Sequence, residues 1–317
     1  MDVPSNARAF LGDLSASERE AIPLGFDRSV TIEGHITMDY ITPLWKITTS
    51  IIVFLMQFGF AMVEAGFCRQ NNVVATYCKN VLDVVFGAIS SYLIGYYIAY
   101  GDHPSDPAVH VDFFHHLVFQ ATSATIISGS MAERTTLMSY VTLAVFVSVI
   151  PFSVSVRWTW GGGWLSQMEP PFHDFAGSTV VHVVGGAAAL VGVACVGPRS
   201  GRYGYGQRVS FMPHDVSSIL SGVLILWVGW YGFNPGSAGF ETLEDVRAAS
   251  NAAITTTMAA ASAAAGSVLR GVIRAHISDT VIHIDAVAVG NGVLAGLVAI
   301  TAGCDVISTD LSMVVGV

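Results

Sequence analysis

Eight apolar stretches, each close to twenty residues long, follow one another along this 317-residue chain. They lie near 43–63, 80–100, 113–131, 136–156, 176–197, 215–235, 247–269 and 285–303. A ninth begins near Ile307, and the sequence stops inside it at Val317. A helix needs about 20 residues to cross a hydrocarbon core about 30 Å thick. Soluble α/β proteins also bury apolar helices, but not eight in succession with almost no charged faces. The expected fold class is therefore all-α, a polytopic membrane helix bundle.

Composition removes several other classes. Hydrophobic residues make up 52% of the chain and charged residues 12%, about half of the ~25% usual in soluble domains. Intrinsic disorder needs the opposite balance. Fourteen Lys and Arg face 23 Asp and Glu, so no basic surface for nucleic acid is expected. Cys68, Cys78, Cys195 and Cys304 fall in or beside apolar stretches without a CxxC motif, and read as small buried residues. No metal-ligand cluster and no Ser–His–Asp set stands out, so neither a metal, a cofactor nor an enzyme is expected. His115 and His116 are adjacent, face different sides of a helix and do not form a ligand pair.

Residues 1–42 differ from the rest. Arg8, Asp13, Glu18, Arg19, Glu20, Asp27 and Arg28 interrupt any apolar core of a signal peptide. The expected organisation is a polar N-terminal segment, 1–42, and one membrane domain, 43–317. Loops after odd-numbered spans hold Arg69, Arg134, Arg199, Arg202, Arg208, Arg270 and Arg274; loops after even spans hold only Arg157 and Arg247. Basic residues mark cytoplasmic loops, so odd loops are expected inside and the N-terminus outside a cell membrane. Span seven, AAITTTMAAASAAAGSVL, and Gly229, Gly232 and Gly236 of span six supply small residues for close helix packing.

Polar groups at membrane depth narrow the choice, because such groups usually face a cavity or a partner. His182 lies two turns into span five; it reads either as a histidine bonded to a neighbouring helix or as a pore-lining acceptor or relay. Asp174, just before that span, reads as a helix cap that sets the mouth of the His182 helix. Trp160 precedes a Gly161–Gly163 run and suits either an interfacial belt or a cation–π platform. Ser237 follows a Phe233–Gly236 helix break, where its hydroxyl serves as a cap or a ligand acceptor. Phe119 and Phe233 by themselves suggest only lipid contact. Lys79 and Asp83, four apart, suggest an intrahelical pair.

Seven segments then occur in order: GFAMVEAGFCR (59–69), KNVLD (79–83), FQATSATIISGSMAER (119–134), WGGGWL (160–165), DFAGSTVVHVVGG (174–186), GWYGFNPGSAG (229–239) and NGVLAGLVAITAGC (291–304). Together they resemble the ammonium transporter (Amt) family, the microbial and plant branch of the Amt/Rh superfamily. Rh-type relatives generally lack the outer tryptophan and serine that Trp160 and Ser237 match. The resemblance implies an eleven-span fold, a homotrimer with one pore per subunit, membrane lipid around it and ammonium or ammonia as substrate. It implies an outer recruitment site at Trp160, Ser237 and Phe119, a gate of Phe119 over Phe233, His182 as the first pore histidine and Asp174 as the structural aspartate at the mouth. Ser178 stands where relatives commonly have glycine, a change expected to be tolerated. The family's second pore histidine lies on a tenth span, whereas His276 and His283 here precede span eight. A truncated chain is therefore expected, and with it the alternative of a non-functional fragment. A sensor built on an Amt-like membrane domain is the other alternative. The expected chemistry is recruitment of ammonium, loss of its proton, and passage of neutral ammonia through an apolar pore.

Overall fold

The computed structural model describes the backbone of residues 34–203 and 211–317, with side chains from residue 41 onward. Its described residues form nine helices. They are α1 (Gly34–Phe67), α2 (Gln70–Tyr100), α3 (His110–Met131), α4 (Leu137–Thr159), α5 (Ser178–Val196), α6 (Val216–Phe233), α7 (Leu243–Ile277), α8 (Ala286–Ile300) and α9 (Thr309–Gly316). The eight expected spans and the start of the ninth each coincide with one helix. Six of them, α1, α2 and α4 to α7, are long and apolar enough to cross a membrane. The first helix begins at Gly34, ahead of the expected position, and carries Pro43 inside it. Most of the polar segment 1–42 lies outside the described residues.

The exceptions have physical reasons. Although α3 is 22 residues long, His115, His116, Gln120, Thr122, Ser123, Thr125 and Ser128 lower its hydropathy. It runs through the centre of the bundle, where Gln120, Thr122, Ser123 and Ser128 are fully buried. Protein, not lipid, surrounds it, so hydroxyls and amides that bond to neighbouring backbone are admissible there. The 15-residue α8 reaches only about 22 Å at 1.5 Å per residue.

Small residues bring the helices together. α6 lies along α1: a Cβ on Gly222 would come within 2.6 Å of the Gly59 carbonyl oxygen, and one on Gly232 within 2.6 Å of the Thr49 carbonyl. Gly229 and Gly236 face Met56 and Thr49 in the same seam. In the alanine-rich α7, the backbone carbonyls of Ala259 and Ala263 lie against Gly296 and Gly292 of α8, where a Cβ would not fit. Such approaches gain dispersion contacts that a larger side chain would prevent.

Caps and irregular turns set the ends. Asp215 caps α6 and Thr242 with Asp245 forms a capping box at α7. Three helices contain a π-turn, at Ser91–Gly95, Ser148–Phe152 and Ser178–Val183. The last opens α5 and contains His182.

The expected Lys79–Asp83 pair does not form. Lys79 reaches instead across to α1, where its Nζ lies 3.2 Å from Glu64 Oε2, and it donates to the Ser128 carbonyl at 2.7 Å. Asp83 accepts from the Tyr140 hydroxyl of α4 at 2.5 Å. Both side chains point into neighbouring helices, where a buried charge finds more partners than along its own surface.

Candidate functional site

The turn before α5 starts from a carboxylate. Asp174 is 5% exposed; its Oδ1 accepts from the Gly177 amide at 2.9 Å, and its Oδ2 from Thr179 at 2.8 Å and Val180 at 3.0 Å. Three free amides at a helix start are thereby satisfied. Gly177 makes this turn at φ +106°, a conformation that favours glycine. The turn also positions two rings. The Asp174 carbonyl accepts from Trp160 Nε1 at 2.8 Å, and the Gly177 carbonyl lies 3.1 Å from His182 Nδ1.

That second contact assigns the histidine's tautomer. A carbonyl only accepts, so Nδ1 carries the hydrogen and the neutral ring presents a lone pair at Nε2. Nε2 is buried and has no hydrogen-bond partner among the described residues. The imidazole lies stacked on Trp230 (centroids 5.2 Å, 23°) and tilted against Phe233 (5.4 Å). Trp230 is held in turn by donating to Thr301 Oγ1 at 2.9 Å.

Phe119 of α3 and Phe233 at the end of α6, 114 positions apart in sequence, stack face to face, 4.1 Å between centroids and 21° between planes. Both are buried. A cavity of about 420 Å³ opens against Phe119; its walls include Phe119, Trp160, Phe175 and Ser237 but neither Phe233 nor His182. Trp160 stands edge-on to Phe119 at 6.1 Å. Ser237 Oγ donates to the Phe233 carbonyl at 2.8 Å, which leaves its lone pairs for a donor from the cavity. In order of contact the groups are cavity, Phe119, Phe233, His182.

Ser178 makes a contact that glycine cannot: its Oγ donates to the Val298 carbonyl and accepts from the Ala302 amide, each at 2.8 Å, so it ties the start of α5 to the end of α8. Sequence reasoning passed over Trp230, the ring on which His182 stacks, and Glu64, the partner of Lys79. The signal for Glu64 was a carboxylate at the end of the first apolar stretch, flanked by apolar residues on both sides.

A bundle of membrane-length helices with a cavity closed by stacked aromatic rings, and a histidine sealed behind them, has the form of a membrane transport protein. The profile of the Ammonium Transporter Family matches residues 44–317. A Synechocystis sp. protein is 37% identical over 299 residues, an alignment covering 87% of this chain and 66% of its own length. An ammonium transporter of Solanum lycopersicum is 35% identical, covering 85% of this chain and 64% of the relative. Among solved structures, one titled "Sensor Amt Protein" matches with a TM-score of 0.78 at 30% identity, over 89% of this chain and 73% of that one. Candida albicans Mep2 shares the fold with a TM-score of 0.75 at 24% identity, over 88% of this chain and 64% of that one. The chain belongs to the ammonium transporter family and is a multi-pass membrane protein. The family is one of transporters rather than enzymes. The chain spans just under two thirds of the length of the curated relatives it matches.

Proposed function

We propose that this protein conducts ammonium across a cell membrane by separating it into ammonia and a proton. The observation that carries the reading is the Phe119–Phe233 stack standing between an aromatic cavity and the Nε2 lone pair of His182. In the cavity, the faces of Trp160 and Phe119 attract a cation and Ser237 Oγ accepts one of its N–H groups. An ammonium and a potassium ion are similar in size, so selection rests on the four N–H donors. In this reading the route continues behind the rings beside Trp230 and Phe233, apolar surroundings in which an intact charge meets a desolvation cost of several kcal/mol. Neutral ammonia does not. One N–H bond of ammonium breaks with its electron pair left on nitrogen, the proton passes to an acceptor such as His182 Nε2, and ammonia moves on to be protonated again at the far side. Asp174 acts through position: its three amide bonds hold the turn that orients both Trp160 and His182.

In this reading the loops after odd spans face the cytoplasm, the N-terminus lies outside, and the working unit is a homotrimer with one pore per subunit. The relatives' names favour transport over the sensor alternative. The test is solid-supported-membrane electrophysiology on proteoliposomes. His182→Asp is expected to alter ammonium current, and Phe233→Ala is expected to weaken exclusion of potassium. Unchanged ammonium current and unchanged potassium exclusion in both variants would overturn the assignment.

A further inference from the structure

Lys79 and Asp83 begin a series that the transport scheme leaves unused. On α2, Lys79, Asp83, Gly87, Ser91 and Gly95 follow at every fourth position, one turn apart. Contacts from this face reach α3 and α4. Asp83 accepts from the Tyr140 hydroxyl of α4, and the Gly87 carbonyl accepts from Gln120 Nε2 of α3 at 3.1 Å. A Cβ on Gly95 would lie 3.1 Å from Ser153 Oγ of α4 and 3.6 Å from Ser91 Oγ. Ser153 donates in turn to the Ser148 carbonyl at 3.0 Å. The π-turns Ser91–Gly95 and Ser148–Phe152 meet side by side here, and such turns recur at functional sites. His116, one turn before Gln120 on α3, sets its ring 5.3 Å from those of Tyr96 and Phe152 beside the two π-turns.

Along this cleft Asp83 Oδ1, Gln120 Oε1, Ser91 Oγ, Ser148 Oγ and His116 Nε2 are buried without a hydrogen-bond partner among the described residues. Buried polar atoms are nearly always bonded, and a helical serine ordinarily returns its hydroxyl to a carbonyl of the preceding turn. Ser91 and Ser148 do not. One helical turn is about 5.4 Å, close to two hydrogen bonds end to end, so a single water between successive turns joins these groups. The two ends of the cleft reach different cavities. His116 lines the cavity of about 420 Å³ where α2 and α4 end, and Lys79 and Tyr140 line another of about 130 Å³ where both begin.

We infer that this cleft of α2, α3 and α4 carries a proton across the bundle, apart from the Phe119–Phe233 rings, with Asp83 as the group on which it rests. The inference rests on the proposed separation of ammonium into ammonia and a proton, and it gives the proton a way of its own, beginning at His116 rather than His182. One N–H bond of ammonium breaks with its electron pair left on nitrogen. Each group on the line then gains one N–H or O–H bond and loses another, and one proton emerges beside Tyr140; nothing is oxidised or reduced. Charge supports Asp83 as the resting group. Glu64 and Asp83 are two buried carboxylates near one cation, Lys79. Glu64 Oε2 accepts from Lys79, Ser128 and Asn80, whereas Asp83 accepts from Tyr140 alone. A proton on Oδ1 of Asp83 therefore balances the less compensated charge.

A merely structural role for these groups would slow ammonia and proton alike, and the experiment separates the two. Proteoliposomes receive an ammonium jump while current and internal pH are recorded. Ammonia that enters without its proton takes one from the vesicle interior and raises the pH there; ammonia accompanied by its proton does not. Asp83→Asn removes the resting group, and Gln120→Leu keeps the side chain's size while interrupting the line. Asp83→Asn is expected to lower the current about a hundred-fold, the low end of what a positioned proton-transfer group contributes. Gln120→Leu is expected to lower it as well. In both, internal alkalinisation beyond that of protein-free liposomes is expected to appear as the current falls. Current and internal pH unchanged from wild type in both variants would overturn the inference, as would a lost current without alkalinisation. Should Asp83→Asn not fold, Gln120→Leu alone must exchange current for alkalinisation or the inference falls. A wild-type protein without ammonium current would sink the proposed function and this inference with it, whereas a wild-type current that survives both variants sinks this inference alone.

Discussion

Lys79, 6% exposed, shares its surroundings with two carboxylates, and the three groups have to be considered as one unit. Its Nζ lies beside Glu64 Oε2 and above the Tyr140 ring at 5.0 Å, while Tyr140 bonds Asp83. Ser128 Oγ and Asn80 Nδ2 donate to the same Glu64 oxygen at 2.7 and 3.3 Å. Removing the single cation leaves buried carboxylates without a counter-charge. Lys79→Met is expected to destabilise the protein by about 3–5 kcal/mol, read as a lowered Tm in detergent, and a simultaneous Glu64→Gln to recover part of it. Equal Tm values for the single and double variants would show that the two side chains are not coupled. The sequence displayed Lys79 and Asp83 four residues apart, but spacing along one helix says nothing about a better partner on another. The same holds for His182. Its place in an apolar span marked it as costly, yet whether its Nε2 was free depended on a carbonyl five residues earlier bending back to Nδ1.

At the scale of elements, the seam of α1 and α6 was readable as a run of glycines, while its depth was not. Gly222 faces the Gly59 carbonyl and Val63 of α1 at 2.6–2.8 Å from an added Cβ, and backbone on both sides leaves no room to shift. Gly186 of α5 is exposed and would meet nothing within 4 Å. Both are helical glycines, and they are expected to respond in opposite directions. Gly222→Ala should cost about 1–3 kcal/mol through overpacking, whereas Gly186→Ala should be neutral or stabilise by up to about 1 kcal/mol through helix propensity. Thermal unfolding of the two variants decides it, and a shared response would mean that packing does not set the seam. Span lengths were legible because a bilayer imposes one length on every crossing helix. The polarity of α3 was the exception, since a central helix answers to its neighbours and not to lipid.

At the scale of the whole molecule, the basic residues of separate loops converge on one carboxylate. Glu133, at φ +63° and with its side chain 1% exposed, pairs with Arg69 Nε and Arg199 Nη1, each at 2.9 Å, and accepts from Asn72. The loops after spans one, three and five therefore meet at one end of the bundle. Burial by itself raises a carboxyl's pKa, but the bonds from Arg69 and Asn72 and the charge of Arg199 outweigh it and hold Glu133 below its ordinary 4.5. A depressed folded-state pKa contributes stability that is complete above the unfolded value and lost as pH falls through the folded one. Thermal stability is expected to drop on acidification below about pH 4.5, and Glu133→Gln to flatten this part of the profile while lowering stability at neutral pH. A wild-type acid profile identical to that of Glu133→Gln would remove Glu133 as the tie.

The sequence by itself determined the class: repeated apolar spans leave the backbone no solution in lipid but helices, and the ordered motifs determined the family. It also singled out Phe119, Phe233, Trp160, Ser237 and His182 as residues, without their contacts. Only the tertiary structure decided which of those residues touch. Stacking of Phe119 on Phe233 and of His182 on Trp230 each depends on two helices approaching from distant parts of the chain. Periodicity along one helix reports which face is polar; it carries no information on what stands opposite.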